Sequence, residues 1–235
     1  RAEMSGGDSL RGSKVAILCG GRGSRLRPTT DDVPKALVSL NGCPILDHIL
    51  DFYRAKGLRE FILCVGYKAD KVEAHYANAG VEDEIHFSNE GVDASMLERI
   101  WALRDLISER LFVSYGDTFT DLNLQAMLDT HLRLGAEVTI VTAKIRSPFG
   151  LVAMGQEGFV TSFVEKPLLD YYIGSFILER RAMDHITPEL LAKPDGQGLV
   201  EFFAVLSAQS RLAAYQHEGL QITFNTESER QIAEE

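Results

Sequence analysis

The stretch that decides the fold is "KVAILCGGRGSRLRPTTDDVPKAL", Lys14–Leu37. It opens with an apolar, β-branched run that reads as a strand, then breaks into Gly20, Gly21 and Gly23 interleaved with Arg22, Arg25 and Arg27. Strands alternate with amphipathic segments from here on, the pattern of a mostly parallel sheet covered by helices. In such an α/β sheet the loop after the first strand lies at the carboxyl edge, where ligands bind. Glycines let backbone N–H groups turn toward an anion, and arginines add charge and forked donors. The loop reads as a polyphosphate cradle.

The rest of the chain fits that reading. "PILDHILDFYRAKG" predicts a helix ending at a glycine, "EFILCVGY" a strand, "ADKVEAHYAN" a helix and "EIHFSN" a strand. "ASMLERIWALRDLI" predicts a helix with Trp101 packed on its apolar face, and "RLFVSYGD" a strand with Asp117 at its carboxyl end. A helix, "NLQAMLDTHLRLG", and a strand, "AEVTIVTAKI", follow. From about Gly150 the period changes, and "GLVAMGQEGFVTSFVEKP" predicts a hairpin added to the core. "GLVEFFAVLSAQS" predicts a helix, "LAAYQHEGLQITFNT" strands and "ESERQIAEE" the start of a helix. Residues 1–13 are expected to be a disordered leader before one domain over 14–235, with a ligand-binding core at 14–145 and an added part at 146–235.

The 235 residues carry 34 Asp+Glu against 24 Lys+Arg, a formal net charge of −10. That balance argues against nucleic acid and membrane surfaces as partners, because both are polyanionic. Cys19, Cys43 and Cys64 sit in apolar surroundings without C-x-x-C spacing, so buried, reduced thiols in a cytoplasmic protein are expected. The six histidines show no metal-ligand spacing.

The run Gly20-Gly21-Arg22-Gly23-Ser24-Arg25-Leu26-Arg27-Pro28-Thr29-Thr30, followed by Pro34-Lys35, resembles the motif that opens the sugar-1-phosphate nucleotidyltransferases. It is neither a P-loop nor a dinucleotide fingerprint. The resemblance implies a Rossmann-like fold in which Leu18, Gly20, Gly21, Gly23, Ser24, Ser95 and Gly116 hold the nucleotide. It implies that Arg25 grips the departing pyrophosphate and Lys35 the α-phosphate and incoming phosphate. Asp117 and Asn225 would be ligands of Mg²⁺, the amide of Asn225 standing where relatives carry an aspartate. Gly150, Glu165, Lys166 and Gly174 would build the acceptor pocket.

Over most of the chain the resemblance is to the glucose-1-phosphate cytidylyltransferase group, carried by "GYK" after the second strand, the "YGD" strand end and "SFVEKP". That implies CTP as the nucleotide, a sugar 1-phosphate or similar phosphomonoester as acceptor, and a possible homo-oligomer. The group's Ser-Met-Thr-Gly-Gly-Arg run is "SMLER" here, Ser95–Arg99. Phosphocholine, inositol phosphate and heptose 1-phosphate stay open as acceptors. So does a nucleotide-binding domain of weakened turnover, which Asn225 would explain.

Overall fold

The computed structural model describes residues 10–77, 83–223 and 234. Its elements in chain order are β1 (Lys14–Leu18), α1 (Ile45–Ala55), β2 (Glu60–Val65), α2 (Ala69–Tyr76), β3 (Glu84–Asn89) and α3 (Met96–Trp101). There follow β4 (Arg110–Tyr115), α4 (Leu124–Leu134), β5 (Val138–Arg146), β6 (Leu168–Glu179), α5 (Gln197–Ala208) and β7 (Leu212–Gln216). These strands form a mixed, mostly parallel sheet in the order β7-β5-β6-β4-β1-β2-β3, in which β6 alone runs antiparallel to its neighbours.

Two apolar layers sandwich this sheet. On one face Val15 and Ile17 pack with α1, α2 and α4 through Leu46, Leu50, Val72 and Leu128. On the other, Ala16 and Leu18 pack with α3 and α5 through Ile100, Phe202 and Leu206. A strand covered on both faces has no polar side to show, which is why β1 and β2 read as continuous apolar runs.

The strand order places the site. The chain lays down β1, β2 and β3 outward in one direction, then returns to set β4 on the opposite flank of β1. At that reversal the loops leaving β1 and β4 part, and a crevice opens at their carboxyl ends. Leu18 and Tyr115 are paired across it.

Three features depart from the sequence expectation. The helix predicted from Ser95 onward ends at Trp101, and tight turns carry Leu103 and Leu106, whose amides bond the carbonyls of Ile100 and Leu103. The strand β6 was not signalled, because Gly174 and a register shift between Tyr172 and Phe176 break its period. Cys19 and Cys64 are buried, but Cys43 is exposed in a two-residue strand, Cys43–Pro44, that pairs only with Ser39–Leu40 among the described residues, so no second layer covers it despite its apolar surroundings in sequence.

The predicted hairpin is present: Leu151–Met154 pairs antiparallel with Val160–Val164 across the turn Gln156–Gly158, and this ribbon joins no larger sheet. The proposed helix start at 227–235 and Asn225 lie outside the described residues, except Glu234. Among the described residues no helix is long and apolar enough to cross a membrane.

Candidate active site

The crevice is a cavity of about 520 Å³, within the size range of small-ligand sites. Leu18, Gly20, Gly21, Gly23, Ser24, Arg25, Lys35, Gly116 and Asp117 all line it, so residues far apart in sequence meet at one sheet edge.

The loop after β1 is held from below. The Tyr67 amide donates to the Gly20 carbonyl at 3.0 Å, the Thr30 hydroxyl to the Gly23 carbonyl at 2.7 Å, and the Tyr67 hydroxyl to the Thr30 carbonyl at 2.7 Å. Gly23 sits at φ +62° as it turns into the single helical turn Ser24–Leu26, and a Cβ there would come 3.0 Å from that of Lys35. Only glycine accepts both constraints. A Cβ on Gly20 would run into the Arg99 guanidinium.

Arg99 explains that crowding. Its guanidinium is buried and donates to the carbonyls of Val65 (2.7 Å) and Gly91 (2.9 Å), with Gly20 and Val92 at 3.5 Å. It therefore ties together the loops that leave β1, β2 and β3. Burial raises the thiol pKa of Cys64 to about 12 and that of Cys19 higher still, with Arg99 opposing in both cases, so neither thiol is a nucleophile near neutral pH.

At the other wall the Lys35 ammonium donates to Asp117 Oδ2 at 2.9 Å, and the Thr118 hydroxyl donates to Oδ1 at 3.1 Å. Arg22 pairs with Asp93 at 3.3 Å and Arg27 with Asp31 at 2.7 Å. Arg25 has no acidic partner among the described residues, which leaves its forked donors for an anion in the cavity. Positive charge here thus has a carboxylate at its centre.

A hard carboxylate oxygen beside donors for phosphate suits a divalent cation that takes one or two carboxylates and completes its shell with phosphate and water. Among the described residues no group of three or more His, Cys, Asp or Glu could hold a metal by itself.

Other sequence-derived residues are placed differently. Ser95 is buried, and its hydroxyl accepts from the Glu98 amide while Glu98 accepts from the Ser95 amide, a capping box that starts α3. Its neighbours Ala94 and Met96 line the cavity. Gly174 lies in the irregular part of β6 against Tyr115. Gly150, Glu165 and Lys166 are exposed at the root of the ribbon and do not line the cavity.

The lining also includes Tyr115, Asp93 and Asp195, which sequence reading passed over. Tyr115 receives a hydrogen bond from the Tyr172 hydroxyl at 3.1 Å, and burial raises the pKa of both phenols, keeping them neutral. Asp195 accepts from the Met96 amide at 2.9 Å. Tyr115 adjoins the Gly-Asp strand end and was findable there; Asp195 comes from a distant loop with no local signal.

The nucleotidyl transferase family profile matches residues 14–219. The chain belongs to that family. The sequence is 30% identical to a protein of Bacillus subtilis named "Probable glucose-1-phosphate cytidylyltransferase", over 91% of each chain. It is 30% identical to the glucose-1-phosphate cytidylyltransferase of Salmonella typhi over 88% of each. Further relatives include a uridylyltransferase and guanylyltransferases. A UDP-glucose pyrophosphorylase crystallised with UDP-glucose shares the fold at a TM-score of 0.74 and 16% identity, over 94% of this chain and 97% of that one. This nucleotidyltransferase is thus a sugar-1-phosphate enzyme of the kind that makes nucleoside diphosphate sugars.

Proposed function

We propose that this nucleotidyltransferase joins CTP to a sugar 1-phosphate, releasing pyrophosphate and forming a CDP-sugar. The observation that carries the reading is the Lys35–Asp117 pair at the β1/β4 crevice, in one cavity with Arg25, which has no acidic partner among the described residues.

The nucleophile is a phosphate oxygen, already an anion, so no strong general base is required. It attacks the α-phosphorus of CTP, and the bond from that phosphorus to the β-phosphate oxygen breaks. Two polyanions must meet, and the departing pyrophosphate gains charge, so fixed cations are the catalytic need. Arg25 stabilises the leaving pyrophosphate. Lys35 holds the α-phosphate and the incoming phosphate. The backbone from Gly20 to Ser24, with Leu18 and Gly116, wraps the nucleotide, and Ser95 shapes its base side through α3.

Asp117 would hold Mg²⁺, with Asn225 as second ligand. That ion supplies charge neutralisation at the transferring phosphates. Gly150, Glu165, Lys166 and Gly174 receive the acceptor.

The choice of CTP draws support from the lining as well as from the relatives. Val92–Ala94, which follow β3, line the cavity with Met96 and with Asp195, whose carboxylate accepts from the Met96 amide. Asp93 and Asp195 in that lining are acceptors suited to an exocyclic amine, which cytosine, like adenine and guanine, has and uracil and thymine lack, so they argue against UTP and dTTP. Free cysteines at Cys19, Cys43 and Cys64 suit a reaction in the reducing cytoplasm.

The test is pyrophosphate release with Mg²⁺, pairing CTP, UTP, dTTP, GTP and ATP with a panel of sugar 1-phosphates. Release that needs both substrates, fastest with CTP, is the expected result. A preference for any other nucleotide sinks the cytidylyl assignment. Silence across the panel with an NTP still raising the melting temperature would leave a binding protein.

A further inference from the structure

Arg99 is a buried cation that no carboxylate neutralises. The residue is 4% exposed, and among the described residues its guanidinium meets only main-chain carbonyls: Val65 at the end of β2, Gly91 and Val92 after β3, and Gly20 after β1. A buried charge held by dipoles alone is costly, and a group that merely tied loops together would serve better as a neutral donor. The positive charge itself therefore needs an explanation.

The surroundings are cut to admit it. A Cβ on Gly66, in the loop after β2, would come 2.7 Å from one terminal guanidinium nitrogen and 2.8 Å from the other and from the Gly91 carbonyl, while a Cβ on Gly20 would run into the same group. Neither glycine has a positive φ, so close approach rather than backbone conformation excludes a side chain at both. The base from which the guanidinium reaches out is rigid: the Ser95–Glu98 capping box fixes the start of α3, and Leu97 and Ile100 anchor it in the core. Arg99 also lines the cavity, beside Gly20 and Gly21.

We propose that Arg99 is the positioning residue of the nucleotide site. It sets the spacing of the loops that leave β1, β2 and β3, and the phosphates received by the glycine loop balance its charge. The inference rests on the nucleotidyl-transfer reading of that loop. Because the cation is desolvated and held in place before the ligand arrives, its attraction for a polyanion is weakly screened and needs no reordering.

Isothermal titration of CTP, UTP, dTTP, GTP and ATP, each with Mg²⁺ and without acceptor, tests this. Arg99→Gln keeps an amide donor and removes the charge. It is expected to weaken binding of the tightest of the five by about 10–100-fold, the span for one charged hydrogen-bonding group. The matching monophosphate should lose less, and the KM of the acceptor should move by less than about threefold. Arg99→Lys, which restores the charge on a long stem, should recover most of the loss. Gly66→Ala leaves Arg99 in the chain but places a methyl group where the guanidinium packs. It should weaken nucleotide binding about tenfold although Gly66 does not line the cavity.

A folded Arg99→Gln protein with wild-type nucleotide affinity overturns the proposal. So does an acceptor KM that rises as far as the nucleotide's, which marks general loosening. If circular dichroism shows Arg99→Gln unfolded, Gly66→Ala decides by the same criteria. A wild type that prefers another nucleotide, or transfers none, breaks the cytidylyl reading while its affinities still test Arg99. A wild type that binds none of the five overturns both.

Discussion

Two apolar stretches of this chain meet opposite fates. "KVAIL" at Lys14–Leu18 is buried from Val15 onward, whereas "LVAM" at Leu151–Met154 is exposed along its whole length. Composition does not separate them. The difference is what lies alongside: β1 has a parallel strand on each flank and an apolar layer on each face, and the ribbon strand has one partner and no cover. Hydrophobic pattern says which residues seek burial, and topology says which of them find it within one chain.

The sharpest way to break this contrast is at the cavity end of the buried region, where the proposed reaction places Lys35 and Arg25. Lys35→Ala is expected to lower kcat/KM for pyrophosphate release by about 10³–10⁴-fold with the fold intact, as befits a lost electrostatic stabiliser. Near-normal turnover would detach the carboxyl edge of β1 from the chemistry. Arg25→Ala should cost less, about 10²–10³-fold, because Lys35 still neutralises the α-phosphate. Stopped assays of both variants against the wild type give the ratio directly.

Stability separates the regions next. Phe176→Ala, at a fully buried position in β6, should destabilise the protein by about 3–5 kcal/mol in urea unfolding. An equally large cost for Phe159→Ala in a monomeric sample would erase the distinction between sheet and ribbon, since an exposed site is expected to change stability by only about 0.5 kcal/mol.

A smaller and pH-dependent effect comes from the end of the sheet opposite the cavity. Glu179 Oε1 accepts from His131 Nε2 at 2.7 Å and from Arg110 Nε at 3.0 Å, and His131 Nδ1 meets the Thr139 hydroxyl at 2.6 Å. Burial would raise the Glu179 carboxyl, but those two donors outweigh it and hold its pKa below the ordinary value of 4.5. A depressed carboxyl pKa stabilises the fold above 4.5, and the contribution is lost as pH falls through the lower, folded-state value. Glu179→Gln should therefore destabilise the protein by about 1–3 kcal/mol at neutral pH. Melting curves should show that deficit shrinking below pH 4.5; a deficit that stays constant would mean the carboxylate charge does not matter.

How much of this was legible depends on how local each signal was. The glycine loop announced itself because Gly20 and Gly23 are needed by close approach and backbone geometry within a few residues, and Asp117 because it follows an apolar strand. The antiparallel β6 was not legible, since Gly174 and the shift after Tyr172 interrupt its period and only its place between β4 and β5 makes it a strand. Arg99 stands in the sequence only as the last residue of the "SMLER" run, yet in the structure it is the buried clamp of three loops.

By itself the sequence determined the class of fold, through strands and helices of clear period, and the class of chemistry, through a cluster of fixed cations and turning glycines in one loop. Tertiary structure decided what local pattern cannot carry: that Lys35 meets Asp117 across the crevice, that Asp195 joins the same wall, and that residues 148–166 stand uncovered. Those are facts of contact between segments distant in the chain. Strand order, set by which apolar faces can be covered at once, is what brings such segments together or leaves them apart.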